Sequence, residues 1–243
     1  MKQTIQGKIS QCMIVKNEEK NIEQALSWGK GVVAEQIVVD TGSADRTVEI
    51  AQRLGAKVFH FPWINDFAAA KNFAIEKAQY EWIAFLDADE YFSAEDAKKL
   101  ADVLYHLSAQ PVDSVMTAWI HLYDDKSIMQ VDSQTRIFRN CPQIRYHGRI
   151  HEVLRRSDGK DMENQDETAN LAIFHTGYGE EAEEKKKASK RNLLLIQAEL
   201  EDNPNNYQMQ AYLGNEYLAL AEYELAESAY RKAISLMPEG VLG

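Results

Sequence analysis

Residues 82–90 read WIAFLDADE, in which five apolar residues are followed by Asp87, Asp89 and Glu90. An unbroken apolar run of this length is typical of a strand buried on both faces, as in the centre of a parallel sheet. The sequence therefore predicts a central strand from Trp82 to Leu86 with carboxylates at its end. On an extended chain, Asp87 and Asp89 would project to the same face, because side chains alternate with a period of two.

Strand-like and helix-like segments alternate through the first hundred residues. Polar turns separate the strands from helical patterns, and a helix after Ser93 has Asp96 three residues on, as in a capping box. Repeated strand–helix–strand units predict a mostly parallel sheet that is covered on both faces. The other strands predicted here are residues 9–15, 36–39 and 57–61, and the predicted helices include residues 66–79.

The pattern changes after residue 112, where strand-like segments are joined by turns instead of helices. These segments are residues 112–122, 134–138 and 170–174, and they predict an antiparallel or mixed extension of the same sheet. The fold class over residues 1–179 is therefore α/β, with a Rossmann-like, mostly parallel mixed sheet and flanking helices.

Residues 180–243 are predicted to form a separate, all-α segment. One long helix is expected over residues 180–202, and residues 207–240 match a single tetratricopeptide repeat. Stacked repeats of this kind form concave surfaces that bind peptides, which suggests a protein or peptide partner. The signature positions of the repeat are occupied by Leu213, Gly214, Tyr217, Ala226, Tyr230, Ala233 and Pro238.

Composition and charge exclude several classes of protein. The formal net charge of -11 argues against nucleic-acid binding, which requires a basic surface. A nucleotide ligand is still compatible with this charge, because a divalent cation can neutralise a diphosphate that carboxylates hold. Neither a signal peptide nor a transmembrane segment is recognisable. The two cysteines lack disulfide or CxxC spacing, so a reduced, cytoplasmic protein is expected.

Carboxylates follow three predicted strands, in the segments KNEE (16–19), DTGS (40–43) and DADE (87–90). Ligands of open parallel sheets bind outside the carboxyl ends of the strands. A pair such as Asp87 and Asp89 can hold Mg²⁺ or Mn²⁺ and leave positions for phosphate oxygens. The alternative is a solvated turn before the helix that begins near Ser93. GxGxxG and GxxxxGK[ST] are absent, which argues against a dinucleotide site or a P-loop.

Four blocks in this order resemble the family-2 glycosyltransferases, which have the GT-A fold: ISQCMIVKNEE, VVDTGSADRT, FAAAKN and FLDADE. The branch with a tetratricopeptide tail is the most similar, and the resemblance covers almost the whole chain. It implies an inverting transfer from a nucleotide sugar, commonly a UDP-sugar, with Mn²⁺ or Mg²⁺ as cofactor.

The resemblance also assigns roles to single residues. Lys71 stands near the uracil or the phosphate, where the family usually has arginine, so the charge is kept and the bidentate fork is lost. Asp87 would contact the ribose or the metal, and Asp89 would bind the metal. His175, in IFHTGY, would be a further metal ligand, or else a structural histidine. The residues assigned to the nucleoside and to the turn beside it are Val15, Asn17, Glu18, Asp40, Gly42 and Ser43.

The stretch RYHGRIHEVL (145–154) resembles the family's HE segment beside the acceptor. An inverting transfer needs a base to remove the acceptor proton, and Glu152 is the first candidate. His151 is its rival, and Asp124 or Asp125 is a weaker choice. Glu152 could instead be a surface partner of a neighbouring arginine.

Three questions remain open from the sequence. Arg136 and Arg139, in TRIFRN, could face the diphosphate or form ion pairs at the surface. A sugar nucleotidyltransferase is disfavoured, because VKNEEKN lacks the glycine-rich, basic loop that handles a triphosphate. A catalytically inactive binding scaffold is the other alternative.

Overall fold

A computed structural model describes residues 7–176 and 190–238 of the chain. The parallel half of its main sheet carries, at its carboxyl edge, the residues that were predicted to contact the nucleoside. Its strands are β1 (Ile9–Val15), β2 (Glu35–Asp40), β3 (Lys57–His60) and β4 (Trp82–Phe85). Their spatial order is β3-β2-β1-β4, and all three pairings are parallel. Val15 lies beside Asp40 in the register, so the carboxyl ends of β1 and β2 meet at one edge, which β4 joins.

The other half of the main sheet is mixed. It contains β5 (Glu90–Phe92), β6 (Ser114–Leu122), β7 (Ile128–Arg139), β10 (Asn164–Asp166) and β11 (Ala172–His175). β7 is antiparallel to β4 and β6, whereas β11 is parallel to β6 and antiparallel to β5. A separate hairpin pairs β8 (Ile144–His147) with β9 (Val153–Arg156). The predicted α/β class with a mixed extension is therefore confirmed.

Helices cover both faces of β4, as its unbroken apolar sequence requires. Trp82 belongs to the core cluster that contains the buried face of α4 (Ala94–Leu107), whereas Ile83 and Phe85 belong to the cluster that contains residues of α3 (Phe67–Lys77). The Ser93 hydroxyl accepts a hydrogen bond from the Asp96 amide at 3.0 Å, so the predicted cap is confirmed. The four helices of this region are α1 (Ile22–Ser27), α2 (Thr47–Arg53), α3 (Phe67–Lys77) and α4 (Ala94–Leu107).

The described residues divide into two compact units. The first unit comprises residues 7–64, 68–147 and 153–176, and the second comprises residues 65–67, 148–152 and 190–238. The predicted boundary at 179/180 lies outside the described residues, as does the part of the predicted long helix before residue 190. Within the described ranges, every helix is too short or too polar to cross a membrane.

Three helices form most of the second unit: α5 (Arg191–Asp202), α6 (Tyr207–Ala219) and α7 (Tyr223–Leu236). The Asn206 side chain caps α6 by accepting from the Met209 amide at 3.1 Å. Gly214 of α6 faces the ring of Tyr230 on α7, and an added Cβ would lie 2.4 Å from a ring carbon. The close approach of these two helices therefore depends on glycine at position 214.

Candidate functional site

Two loops, which follow β1 and β2, are tied together at the carboxyl edge of the sheet. The Asn17 amide donates to Ser43 Oγ at 2.9 Å, and the Ala44 amide donates to Asn17 Oδ1 at 2.8 Å. Asn17 has a φ of 59°, in the left-handed region that asparagine tolerates better than most residues. The fold thus gathers the residues that the resemblance assigns to the nucleoside, namely Val15, Asn17, Glu18, Asp40, Gly42 and Ser43.

Asp40 shapes the turn that follows it. Its buried carboxylate accepts hydrogen bonds from the amides of Gly42 at 3.2 Å and Ser43 at 3.0 Å. Gly42 has a φ of 109°, which side chains rarely adopt, so glycine is needed there. Burial raises the pKa of Asp40, but hydrogen bonds from Ser43 and Gly42 outweigh it and hold this pKa below its ordinary value. Asp40 is therefore an ionised acceptor at neutral pH.

The DADE segment is a turn instead of an extension of β4. β4 ends at Phe85, and the Glu90 amide donates to the Asp87 carbonyl at 3.1 Å. The extended conformation expected for Asp87 to Asp89 is therefore wrong. The physical reason is the buried Glu90 carboxylate, which accepts from the Asp87 amide at 2.9 Å and closes the turn on itself.

Asp87 lies between two cations. Arg136 Nη2 donates to Asp87 Oδ2 at 2.9 Å, and Lys71 Nζ lies 3.7 Å from Asp87 Oδ1. Arg136 also donates to Glu90 Oε1 at 2.6 Å. Burial raises the pKa of Asp87, but Lys71 and Arg136 outweigh it and lower this pKa to about 2. Asp87 stays ionised, and 37% of its side chain is still exposed to a ligand.

Lys71 is buried, with 3% of its surface exposed. Its ammonium group lies 5.3 Å from the ring centre of Phe85 and 5.0 Å from that of Tyr146. Cation–π contacts of this kind stabilise a desolvated charge. Lys71 is therefore a fixed positive charge beside Asp87.

Asp89 lies close to His175, the histidine that was predicted to be a metal ligand. His175 Nε2 lies 3.3 Å from Asp89 Oδ2, and Thr176 holds the Asp89 carbonyl through its amide at 3.0 Å. β11 pairs with β5 so that His175 lies opposite Glu90, which brings the end of β11 to the DADE turn. The two residues thus meet through sheet register despite their separation in the sequence.

A divalent cation fits this pair chemically. Residues 7–176 and 190–238 contain no group of three or more His, Cys, Asp or Glu side chains arranged to hold a metal. Mg²⁺, however, is commonly bound by one or two carboxylates, with substrate phosphates and water as the other ligands. The Asp89 carboxylate matches that pattern and the His175 imidazole would add a nitrogen ligand, whereas Asp87 already faces two cations.

His121 and Asp132 extend the site, and neither residue was predicted from the sequence. His121 Nδ1 lies 3.0 Å from His175 Nδ1, and His121 Nε2 lies 3.1 Å from Asp132 Oδ2. Burial, followed by the charge of His175, lowers the pKa of His121. Both residues occupy strand interiors without a motif, so only the register of β6 with β7 and β11 brings them to the site.

Glu18 adds a third carboxylate near the two aspartates. Burial raises the pKa of Glu18, and the charges of Asp89 and Asp87 raise it further, against a hydrogen bond from Asn21. The edge of the sheet is therefore rich in negative charge, as a site for a cation requires.

His151 and Glu152 belong to the second unit. Arg149, in the same loop, forms an ion pair with Asp202 of α5. The His151 ring stacks on the Tyr212 ring, with centres 3.6 Å apart and an interplanar angle of 10°. His151 has a φ of 49°, and burial lowers its pKa. The stacked ring is thus engaged within its own unit.

Two other candidates from the sequence, Asp125 and Arg139, make local contacts away from the DADE turn. Asp125 Oδ1 accepts from the Ser127 amide at 2.9 Å in the turn between β6 and β7. Arg139 lies beside Trp82, at the opposite end of β4 from Asp87, and donates to the carbonyls of Val112 and Leu107. Of the two arginines in TRIFRN, Arg136 is the one at the site.

Comparisons with known proteins identify the family and the fold of the chain. The sequence profile described as glycosyl transferase family 2 matches residues 10–172. The SPbeta prophage-derived glycosyltransferase SunS of Bacillus subtilis is 32% identical over 230 residues, covering 92% of this chain and 52% of that protein. A TPR repeat-containing protein of Synechococcus elongatus is 34% identical over 218 residues, covering 86% of this chain and 52% of that protein. The chain thus spans about half the length of these relatives.

Solved structures share the fold. TarS residues 1–349 of S. aureus, in complex with UDP-GlcNAc, has a TM-score of 0.58 at 18% identity, covering 96% of this chain and 82% of that one. The same TarS fragment in a second structure gives a TM-score of 0.55 at 17% identity, covering 96% and 81%. The mixed α/β architecture agrees with the expected GT-A fold. With the family profile matching most of the first unit, the chain belongs to glycosyl transferase family 2.

Proposed function

We propose that this chain transfers a sugar from a nucleoside diphosphate donor to an acceptor, with inversion at the anomeric carbon. The observation that carries the proposal is the cluster of Asp87, Asp89 and His175 with two buried cations, at the carboxyl edge of a family-2 sheet. Carboxylates and an imidazole suit a cation, and fixed positive charges suit the phosphates that accompany it.

The donor would lie across the loops after β1, β2 and β4. The loops that Asn17 and Ser43 tie together would form a preformed binding surface for the nucleoside. The ionised Asp40 can accept a hydrogen bond from the nucleobase. Lys71 would offset charge on the diphosphate. Asp89 and His175 would hold Mn²⁺ or Mg²⁺, which when bound neutralises charge on the leaving diphosphate. UDP is the first nucleotide to test, because TarS was crystallised with UDP-GlcNAc and with UDP.

Glu152 is proposed as the base that removes the acceptor proton. One support is the resemblance of RYHGRIHEVL to the family's HE segment. The other is the stacking of the His151 ring on Tyr212, because His151 is the alternative candidate for the base and its ring is already engaged in that contact. A base must be able to reach the acceptor hydroxyl, thiol or amide directly. His151 would then serve to orient the loop that carries Glu152.

The C-terminal helices are proposed to be a tetratricopeptide repeat that binds a protein or peptide acceptor. Gly214 against Tyr230 and the buried Ala226 and Ala233 are the contacts that the repeat signature requires. The Synechococcus relative that carries the name TPR repeat-containing protein supports the same assignment. The cytoplasmic location expected from the sequence stays a prediction.

Titration calorimetry with UDP and other nucleoside diphosphates, each with and without Mn²⁺, tests the donor site. We expect Mn²⁺-dependent binding of one nucleotide, loss of it in Asp89→Asn, and no change in Asp102→Asn, a matched control on the exposed face of α4. Absence of binding to all nucleotides would favour the inactive scaffold. Release of pyrophosphate, instead of a nucleoside diphosphate, during turnover would favour the nucleotidyltransferase.

A further inference from the structure

A continuous line of four polar side chains leads from β7 to the DADE turn. Asp132 Oδ2 lies 3.1 Å from His121 Nε2, His121 Nδ1 lies 3.0 Å from His175 Nδ1, and His175 Nε2 lies 3.3 Å from Asp89 Oδ2. Each contact uses a different ring nitrogen, so both imidazoles are bridged at both ends. The line therefore couples the proton positions on the two rings.

The carboxylate of Asp132 decides the direction of these hydrogen bonds. An ionised carboxylate only accepts, so His121 must carry its proton on Nε2 and present a lone pair at Nδ1. That lone pair can only accept, so His175 must donate from Nδ1. Nε2 of His175 is then the ring nitrogen that faces the Asp89 carboxylate. In the metal-free protein a proton on Nε2 can lie between these two groups, and a divalent cation can take the same place.

The geometry of the line is held by packing and register. His121 is 2% exposed and His175 is 7% exposed, and the two residues are register partners between β6 and β11. The Trp119 ring covers both imidazoles, with ring centres 4.2 Å from His121 and 5.2 Å from His175. Gln130 Nε2 donates to Asp132 Oδ2 at 2.8 Å and keeps that oxygen aimed at His121.

We infer that His121 and Asp132 are positioning residues that fix His175 as its Nδ1–H tautomer, so that Nε2 binds a divalent cation together with Asp89. This inference rests on the donor site proposed above and names the residues that orient one of its metal ligands. Metal-bound histidines generally donate their other ring N–H to a carboxylate, a backbone carbonyl or water, and the loss of that acceptor typically weakens metal affinity 10- to 100-fold. Here the lone pair of His121 Nδ1 takes the place of that acceptor.

The first test reads the tautomer in the metal-free protein. Long-range ¹H–¹⁵N correlation spectra at pH 8, where an ordinary histidine is neutral, distinguish a protonated from a bare ring nitrogen. The chain has six histidines, so single substitutions assign the signals. We expect His175 to show a protonated Nδ1 that donates to His121. A His175 ring with a bare Nδ1 would overturn the inference.

The second test compares two substitutions of one residue. His121→Phe keeps a ring beneath Trp119 but removes the acceptor for His175 Nδ1, whereas the amide oxygen of His121→Gln can still accept. We expect His121→Phe to lose the Nδ1–H signal of His175 and to bind Mn²⁺ at least tenfold more weakly in the presence of UDP, by electron paramagnetic resonance. His121→Gln should retain both, and the exposed His106→Phe serves as the matched control.

The outcomes separate this inference from the proposed function. Equal Mn²⁺ affinity in His121→Phe, with a folded protein by spectral dispersion, would overturn the positioning role. A wild-type protein that shows the predicted tautomer but binds no Mn²⁺ with any nucleoside diphosphate would instead contradict the proposed donor site. Asp132→Ala is a further test. It leaves both histidines in place, but the preference of His175 for a proton on Nδ1 should be lost.

Discussion

Replacement of Arg136 by methionine should destabilise the first unit through the charge that it leaves behind. Arg136 is 9% exposed and donates through Nη2 to Asp87 Oδ2 at 2.9 Å and to Glu90 Oε1 at 2.6 Å. The Glu90 side chain is fully buried, and its other oxygen already accepts from the Asp87 amide. Methionine replaces the side chain of arginine as far as Nε but has no guanidinium group, so it removes the charge and the donated hydrogen bonds while it keeps the apolar stem.

The magnitude follows from the burial of Glu90. Removing one partner of a buried ion pair typically costs about 3 to 5 kcal/mol, because the other charge is left uncompensated. Asp87 keeps Lys71 nearby and is partly exposed, so most of the cost should come from Glu90. We therefore expect Arg136→Met to lower the free energy of unfolding of the first unit by about 3 to 5 kcal/mol.

Urea unfolding followed by tryptophan fluorescence measures this change. All four tryptophans of the chain (Trp28, Trp63, Trp82 and Trp119) belong to the first unit, so their fluorescence reports its unfolding selectively. The matched control is Arg46→Met, which breaks an exposed ion pair with Glu49 and should leave the transition unchanged.

A double substitution provides the internal check. Arg136→Met combined with Glu90→Gln removes both charges and should recover part of the lost stability, because no buried charge remains unpaired. The reasoning would be refuted if Arg136→Met were no more destabilising than Arg46→Met, or if Glu90→Gln worsened the arginine variant additively.

Three further predictions address other parts of the chain. Burial raises the pKa of Glu35, but hydrogen bonds from Lys57 and Ser10 outweigh it and lower this pKa below 4.5. The contribution of Glu35 to stability should therefore be complete above pH 4.5 and be lost as the pH falls through the lowered pKa. Glu35→Gln should abolish this loss of stability in acid unfolding followed by fluorescence. Gly214→Ala should lower the stability of the helical unit by about 1 to 3 kcal/mol, measured by far-ultraviolet circular dichroism in urea, because the new methyl group overlaps Tyr230. Glu152→Gln should lower kcat by about 10²- to 10⁴-fold with donor affinity unchanged, by steady-state kinetics and calorimetry.

Each of these predictions has a control that can contradict it. For Glu35, the prediction would be contradicted if stability fell with decreasing pH as steeply in Glu35→Gln as in the wild type. For Gly214, the alanine substitution should cost much less when Tyr230 is already leucine, and an equal cost would exclude the steric explanation. For Glu152, a larger loss of kcat in His151→Asn would transfer the role of base to the histidine.

Long, strongly patterned segments were predictable from the sequence. β1 (Ile9–Val15) has its predicted bounds, because continuous apolar burial by itself specifies a central strand. The pair Ser93 and Asp96 marks the start of α4 for a local reason that needs no tertiary contact. The strands that the sequence does not predict, β5 and β8 to β10, have three or four residues and exist only through their partners.

In the candidate site, too, the features that depend on local sequence were predictable and those that depend on contacts between distant residues were not. Asp40 and Gly42 are readable because a turn of this kind needs those residue types locally. The conformation of the DADE turn is not readable, because it depends on Glu90 meeting Arg136 from a strand 46 positions away. His121 and Asp132 are hidden for the same reason: sheet register alone makes them neighbours of His175.

The balance of charge at the site leads to a last prediction, that the cation and the nucleotide bind cooperatively. Four carboxylates, those of Glu18, Asp87, Asp89 and Glu90, face two cations, Lys71 and Arg136. A diphosphate without metal would therefore meet excess negative charge, whereas a divalent cation balances it.

Glu18→Gln removes one of these charges and leaves Asp89 and His175 untouched. It should reduce the ratio between UDP affinities measured with and without Mn²⁺, because metal-free UDP meets less repulsion. The exposed neighbour substitution Glu19→Gln is the control and should leave this ratio unchanged. By thermodynamic reciprocity, UDP must strengthen Mn²⁺ binding by the same factor as Mn²⁺ strengthens UDP binding. If the affinity of the wild type for UDP were the same with and without Mn²⁺, the negative charge of the site would not govern donor binding.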